Sequence, residues 1–302
     1  TSASILYDIL RKLNSSSKVE LNLLNPNKLK LVSGNSKFNL LCMPSDNFPL
    51  SEENTSEKKF EIDPKKLLKL LNKTKVSISN DETRHYLNGI FLHKTKLESK
   101  SFLCGVATDS HRLSSSSIEI DPNINIESII LPKKTIFQLV SLLEEEASPV
   151  KISINKSKIK LEMKSGVLIS KVIDGRFPDY NKVIPKENDK ILEIKLNDFK
   201  NSIERVTTVS SDRKEGIKMF IAKDTVKLSV NNPNSGEGVE HINVKFNSED
   251  LTISFNSSYL SDIASQIENE TIIINLKDSG SPALIRDLSD KNSFHVIMPM
   301  KI

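Results

Sequence analysis

Apolar positions along this chain switch repeatedly between two spacings. In "ASILYDILRKL" (3–13) they recur every three to four residues, which predicts a helix with one apolar face. "KVELNLL" (18–24) alternates, which predicts a strand. The same helix-then-strand order returns in "PKKTIFQLVSLLEEE" (132–146) followed by "VKISIN" (150–155), and in "NSSYLSDIASQI" (256–267) followed by "TIIINLKDSG" (271–280). A second module also recurs. "FEIDPKKLLKLLNKTKVSIS" (60–79) and "LEIKLNDFKNSIERVTTVSS" (192–211) each read as a strand, a helix and a Ser/Thr-rich exit. Asp63-Pro64 and Leu131-Pro132 mark helix starts, since proline suits a first turn.

Longer stretches repeat as well. "KLKLVSGNSKFNLLCMPSDNFP" (28–49) and "KIKLEMKSGVLISKVIDGRFPDY" (158–180) both run strand, glycine turn, strand, then an irregular segment reaching Phe-Pro. One full unit is therefore two strand–helix–strands halves, with units starting near 57 and 190. Residues 1–56 hold only the second half of such a unit, so the chain reads as two and a half copies and is expected to be incomplete at its front. The fold class expected is α+β.

Composition narrows this picture. The 302 residues carry 5% aromatics and no Trp, so the cores must be mainly aliphatic. The net charge of +4 spreads 43 basic among 39 acidic residues, which permits nucleic-acid contact without demanding it. Cys42 and Cys104 are the only cysteines, and neither a leader nor a membrane-length apolar run is present, which suits a reduced cytoplasmic setting.

Three features could carry chemistry. "VATDSHRL" (106–113) places Asp109, Ser110 and His111 side by side. A hydrolytic triad needs these groups in series, and sequence neighbours point in different directions. With no G-x-S-x-G elbow, a turn stabilised by Thr108, Asp109 and Ser110 side chains is the expected reading. A hydrolase or nuclease using Asp109, Ser110 and His111 stays open as an alternative. Phosphate loops, dinucleotide loops and metal-ligand spacings are absent, so no cofactor and no metal are expected. Glu144–Glu146 reads as a solvated helix end.

Basic residues recur on the helices: Lys66, Lys69 and Lys73; Lys133 and Lys134; Lys200 and Arg205; Arg11 and Lys12. Aligned on one surface, they could follow phosphates without reading bases. The tail "FHVIMPMKI" (294–302) stays apolar to its end. It reads either as an edge strand or as the lip of an adaptable groove, since Met repacks around varied partners.

"RHYLNGI" (84–90), "ATDSHRL" (107–113), "DGRFPDYNKVIP" (174–185), "FNSSYL" (255–260) and "VIMPMKI" (296–302) together resemble, in order and spacing, the bacterial sliding clamp family. That family is the beta subunit of the replicative DNA polymerase III. The resemblance implies a DNA-clamp fold, with outer antiparallel sheets and inner helices, closing as a head-to-tail homodimeric ring. It implies residues 1–56 as the second half of a first domain, 57–180 as a second domain and 181–302 as a third. It implies a non-enzymatic processivity factor that encircles double-stranded DNA, is handled by a clamp loader, and tethers the polymerase and other replication and repair proteins. A scaffold binding only proteins is a further alternative.

Carried across residue by residue, a partner-peptide groove comprises Leu87, Thr108, Ser110, His111, Arg112, Leu113, Pro178, Lys182 and Val183, facing Asn256, Tyr259, Val296, Ile297, Met298, Pro299 and Met300. DNA contacts map to Arg11, Arg84, His85, Tyr86 and Lys134. The ring interface maps to Lys37 and Phe38 against Thr208, Val209, Glu237 and Glu240. Ser110 stands where the family usually has Gly, His85 where an aromatic is common, and Lys182 where Arg is frequent. Thr208 is more polar than the usual aliphatic, and the acidic run at 234–240 is reduced, so a weaker ring is expected.

Overall fold

The structure, a computed structural model, describes residues 1–47, 59–210 and 216–301. The chain separates into two compact units, Thr1–Ser56 and Glu57–Ile302.

The described residues of the first unit form the α-helix α1 (Ala3–Lys12), an antiparallel sheet of β1 (Glu20–Asn25), β2 (Lys28–Ser33) and β3 (Ser36–Leu41), and a 3-10 turn at Ser45–Asn47. Ser2 caps α1 by accepting the Ile5 N–H. Gly34 makes the β2–β3 turn at a φ of +55°, a left-handed conformation that tight hairpins require. No residue of α1 is buried.

In the second unit the chain runs β4 (Lys59–Ile62), α2 (Pro64–Lys75), β5 (Gly89–Leu97), β6 (Lys100–Thr108), β7 (Arg112–Ile120), β8 (Ile129–Pro132), α3 (Lys133–Glu144), β9 (Val150–Ile154), β10 (Lys158–Met163) and β11 (Gly166–Lys171). The same order then repeats: β12 (Lys190–Lys195), α4 (Leu196–Val206), β13 (Gly216–Ala222), β14 (Thr225–Asn232), β15 (Gly236–Lys245), β16 (Leu251–Asn256), α5 (Ser257–Ala264), β17 (Thr271–Leu276), β18 (Ala283–Asp287) and β19 (Asp290–Ile297). The expected strand–helix–strands modules are visible here. Asp63 caps α2 by accepting the Lys66 N–H at 3.0 Å, with Pro64 opening the helix. The expected solvated end of α3 holds for Glu144 and Glu145, which are exposed, but not for Glu146, which is buried and accepts the N–H groups of Ala147, Ser148 and Lys164.

Two aliphatic cores result. Leu67, Leu70, Leu71, Ile136 and Leu139 pack α2 and α3 on the sheets of residues 59–171. Phe199, Ile203, Leu260 and Ile263 pack α4 and α5 on the strands of 190–297. The strands β4, β9, β10 and β11 form one sheet, and the other twelve form a continuous sheet in the order β16-β13-β14-β15-β12-β17-β18-β19-β7-β6-β5-β8.

The apolar tail therefore is no edge strand. β19 lies between β18 and β7, pairing His295 with Ser114, Val296 with Leu113 and Ile297 with Arg112. This antiparallel pair is the seam between the two repeats. A third apolar cluster fills one side of it, including Leu87, Val106, Leu113, Phe177 and Val296. On the other side of the seam lies a polar chain: the Ser114 hydroxyl is 2.7 Å from His295 Nδ1 and 2.6 Å from the Ser77 hydroxyl.

Candidate functional site

The turn between β6 and β7 is set by short polar side chains. Thr108 Oγ1 donates to the Arg112 carbonyl at 2.7 Å and accepts the Ser110 N–H at 3.1 Å. Asp109 Oδ1 accepts the N–H groups of His111 and Arg112, each at 3.0 Å. Such side-chain-to-backbone bonds are what Asp and Thr offer at turns. Ser110 takes a left-handed backbone with φ of +79°.

These bonds remove the triad. Asp109 spends its carboxylate on two backbone N–H groups and on Arg112 Nε (3.0 Å), and the Ser110 hydroxyl accepts from Arg84 Nη1 at 2.6 Å. Among the described contacts Asp109, Ser110 and His111 form no Ser–His–Asp series, so the hydrolase alternative lacks its geometry.

The same turn forms one wall of a groove of about 230 Å³ over the seam. Leu87, Thr108, Ser110, His111, Arg112, Leu113, Pro178, Asp179, Tyr180, Val183, Val296 and Met298 line it. Its floor is the β7–β19 pair. The tail continues the ladder past β19: the Met298 N–H donates to the His111 carbonyl at 2.8 Å, and the Met300 N–H donates to the Ser254 carbonyl at 2.7 Å.

Arg112 ties the repeats together at the rim. Its Nε meets Asp109 Oδ2 at 3.0 Å, its Nη1 meets Asp262 Oδ2 of α5 at 2.6 Å, and its guanidinium lies 4.1 Å from the Tyr259 ring centre. Behind the groove, the Tyr180 hydroxyl is 3.0 Å from His93 Nε2, and Phe91 stacks between His93 and Phe177. Burial, and then the adjacent Cys104 thiol, pushes the Tyr180 hydroxyl above its ordinary value. Burial holds His93 below its ordinary value.

Three family models match the chain end to end: the DNA polymerase III beta subunit N-terminal domain over residues 1–52, its central domain over 61–179 and its C-terminal domain over 181–301. The chain belongs to the DNA polymerase III beta subunit family. It is 33% identical to the beta sliding clamp of Caulobacter vibrioides over 302 residues, covering 99% of this chain and 81% of that one. A crystal structure of the sliding clamp from Bartonella birtlesii bound to griselimycin superposes with a TM-score of 0.94 at 38% identity, covering 99% of this chain and 81% of that chain. A Caulobacter crescentus beta sliding clamp superposes with a TM-score of 0.96 at 33% identity, covering 99% and 80%. The beta sliding clamp is a non-catalytic processivity subunit of DNA polymerase III in DNA replication. No cluster of residues able to hold a metal ion occurs among the described residues. No helix among them is long and apolar enough to cross a membrane.

Within a clamp fold, the residues carried over from the resemblance fall in several environments. Leu87, Thr108, Ser110, His111, Arg112, Leu113, Pro178, Val183, Val296 and Met298 meet in the groove. Ile297 does not: strand alternation turns it away from Val296 and into the core of the C-terminal repeat. Asn256 is the cap of α5, accepting the Ser258 and Tyr259 N–H groups at 3.0 and 3.2 Å. Tyr259 carries the Arg112 guanidinium, and Pro299 and Met300 follow the groove edge toward β16. Lys182 is exposed and 3.6 Å from Asp179. Asp179 and Tyr180 line the groove although sequence reasoning passed over them; their place inside "DGRFPDYNKVIP" was the available signal.

Arg84, His85 and Tyr86 sit on a short 3-10 helix, 82–87, whose last residue, Leu87, is in the groove. Asp81 caps it and holds Arg84 Nε at 2.8 Å. The His85 ring approaches the Asp174 carbonyl at 3.1 Å. The Tyr86 Cβ lies where a side chain on Gly175 (φ +149°) would stand 3.1 Å away. Lys134 is exposed on the first turn of α3. Arg11, in the first unit, pairs with Asp8 at 3.0 Å.

The expected lysine stripe of α2 divides. Lys66 is exposed, but Lys73 is 3% exposed and faces Glu268 at 3.1 Å and Asp287 at 3.7 Å, with the Gln266 carbonyl also bonded. Lys69 meets Glu268 and Asp290, each at 3.0 Å. Both lysines serve the junction between repeats, and acids on the neighbouring repeat explain why. Arg205 of α4 is likewise claimed by Glu240, through Nε at 2.8 Å and Nη2 at 3.0 Å. Of the ring-interface residues, Thr208 and Glu237 are exposed, and Val209 is partly buried against the C-terminal core. Lys37 is exposed and Phe38 half-buried on β3.

Proposed function

We propose that the groove over the β7–β19 seam takes short linear peptides of DNA polymerase III and other replication and repair proteins. The observation carrying this is the juxtaposition of an apolar floor, Leu113 and Val296, with a backbone-tethered Met298 lip and a polar turn at 108–112. Leu or Phe anchors buried there would contribute about 1.5–3 kcal/mol each, which gives exchangeable binding. Tethering raises the effective concentration of the polymerase at its template and needs no bond chemistry. Arg11, Arg84, His85, Tyr86 and Lys134 are assigned to phosphate contacts, which give attraction without fixed register. Lys37 and Phe38 against Thr208, Val209, Glu237 and Glu240 of a second copy are assigned to ring closure. Residues 1–56, 57–180 and 181–302 are assigned to successive clamp domains, acting in the cytoplasm with a clamp loader.

Two measurements test this. Deleting residues 298–302 is expected to abolish binding of a fluorescein-labelled Leu-Phe peptide while leaving the circular dichroism spectrum unchanged; unaltered affinity refutes the groove. The loaded chain is expected to stay on circular DNA and slide off linear DNA. Equal retention on both refutes topological binding.

A further inference from the structure

Ser110 and Arg84 belong to two features the clamp reading keeps apart, the peptide groove and the DNA-facing turn, yet they are bonded at 2.6 Å. Arg84 is fixed by two N–H groups: Nε to Asp81 and Nη1 to Ser110. Its own backbone departs from helical values, at φ −111° and ψ 57°. Ser110 in turn holds a left-handed backbone that serine adopts reluctantly, with its side chain anchored by this bond. The same short helix ends in Leu87 in the groove. A phosphate that takes the Arg84 Nη1 N–H now given to Ser110 displaces the hydroxyl, because the guanidinium holds its N–H groups in one fixed plane.

We propose that Ser110 is a positioning residue that links the two sites, so that duplex DNA on Arg84 releases Ser110, loosens the groove wall and weakens peptide binding. This rests on the clamp reading of both sites. Linkage requires the converse: a peptide in the groove lowers the affinity for duplex by the same factor. The guanidinium, bonded to Ser110 or to phosphate, is the two-state element.

The test is a linkage ratio measured on the full chain. A fluorescein-labelled Leu-Phe peptide is titrated with and without a saturating short duplex at low salt. For the native chain the duplex is expected to weaken the peptide about fivefold. In Ser110→Gly, which accepts a positive φ freely, and in Ser110→Ala, the ratio is expected to fall to within about twofold of unity. Ser110→Asn, which tolerates the left-handed region and restores an acceptor, is expected to recover it. A merely structural role for Ser110 would shift both affinities and leave the ratio alone. A ratio unchanged in both Ser110→Gly and Ser110→Ala overturns the proposal, as does a native ratio of one. A native chain that binds neither probe overturns the clamp reading along with it.

Discussion

Leu113 and Val296 stand directly opposite each other across the β7–β19 pair, and both line the groove. One step along, Ser114 and His295 are also opposite, and they point to the other side, into the polar chain that reaches Ser77 after α2. Groove and inter-repeat junction are thus two faces of one strand pair. Alternation makes this unavoidable, since successive side chains leave a strand on opposite sides. Changes in the buried junction should therefore be felt at the groove.

Arg112 is the most direct case. It joins Asp109 and Asp262 and covers Tyr259, with its own side chain only 9% exposed. Arg112→Ala is expected to destabilise the chain by about 2 kcal/mol and to weaken the Leu-Phe peptide. Arg112→Lys restores the charge but not the fork that reaches both acids, so it should recover only part of each loss. Urea unfolding read beside a peptide titration checks this, and an unmoved midpoint in Arg112→Ala would contradict it.

Lys73 makes the opposite point about its charge. Removing it leaves Asp287 buried without its cation, whereas an apolar chain of similar length fills the space. Lys73→Ala is expected to cost about 3 kcal/mol, and the double variant Lys73→Met, Asp287→Asn, which keeps an acceptor for the Glu268 and Ser289 N–H groups without the charge, less. Burial raises the Asp287 carboxyl, but hydrogen bonds from Ser289 and the Glu268 N–H, with the Lys73 charge, bring it below its ordinary value. A lowered carboxyl stabilises above its unfolded pKa and loses that contribution as pH falls through the folded one. Guanidinium titrations of the three proteins decide it; equal midpoints for Lys73→Ala and the native chain would sink the idea.

Lys69 and Lys73 also mark what the sequence could not disclose. Lysines at 66, 69 and 73 read as a solvated or DNA-facing stripe because the acids that claim Lys69 and Lys73, namely Glu268, Asp287 and Asp290, are about 200 residues away in sequence. β19 looked like an edge for the same reason: its partner β7 is nonlocal. Ile297 went to the wrong face because strand parity depends on that register. What is local was legible. The helix start at Asp63-Pro64 and the Thr108–Asp109 turn follow from side chains bonding within four residues, and the module order follows from local apolar spacing.

Tyr180 tests the groove from behind. Its hydroxyl is 3.0 Å from His93 Nε2 while its ring faces the peptide space. Tyr180→Phe keeps the apolar surface and strands the imidazole. It is expected to lower stability by about 1 kcal/mol while changing peptide affinity less than threefold. Tyr180→Ala also removes part of the groove lining and should weaken the peptide at least tenfold. Isothermal titration of the two variants separates them; equal affinities would remove Tyr180 from the groove.

His295 predicts how the junction responds to acid. It is 1% exposed, and burial first, then the Lys73 charge, drives its pKa down to about 3 despite the opposing carboxylates of Asp290 and Asp287; the Arg112 charge also lowers it. The unfolded imidazole titrates near ~6.5, so between the two values the unfolded chain binds a proton the native chain refuses. Stability must then fall as pH drops below about 6.5, by about 2 kcal/mol between pH 7 and pH 5. His93, also held low by burial, adds to the same slope. His295→Phe cannot take up that proton in either state. Its loss between pH 7 and pH 5 is expected to shrink by about 2 kcal/mol relative to the native chain, whatever its stability at pH 7. Urea unfolding of both proteins at the two pH values measures the difference, and parallel losses would show that His295 is not the group that resists protonation at the seam.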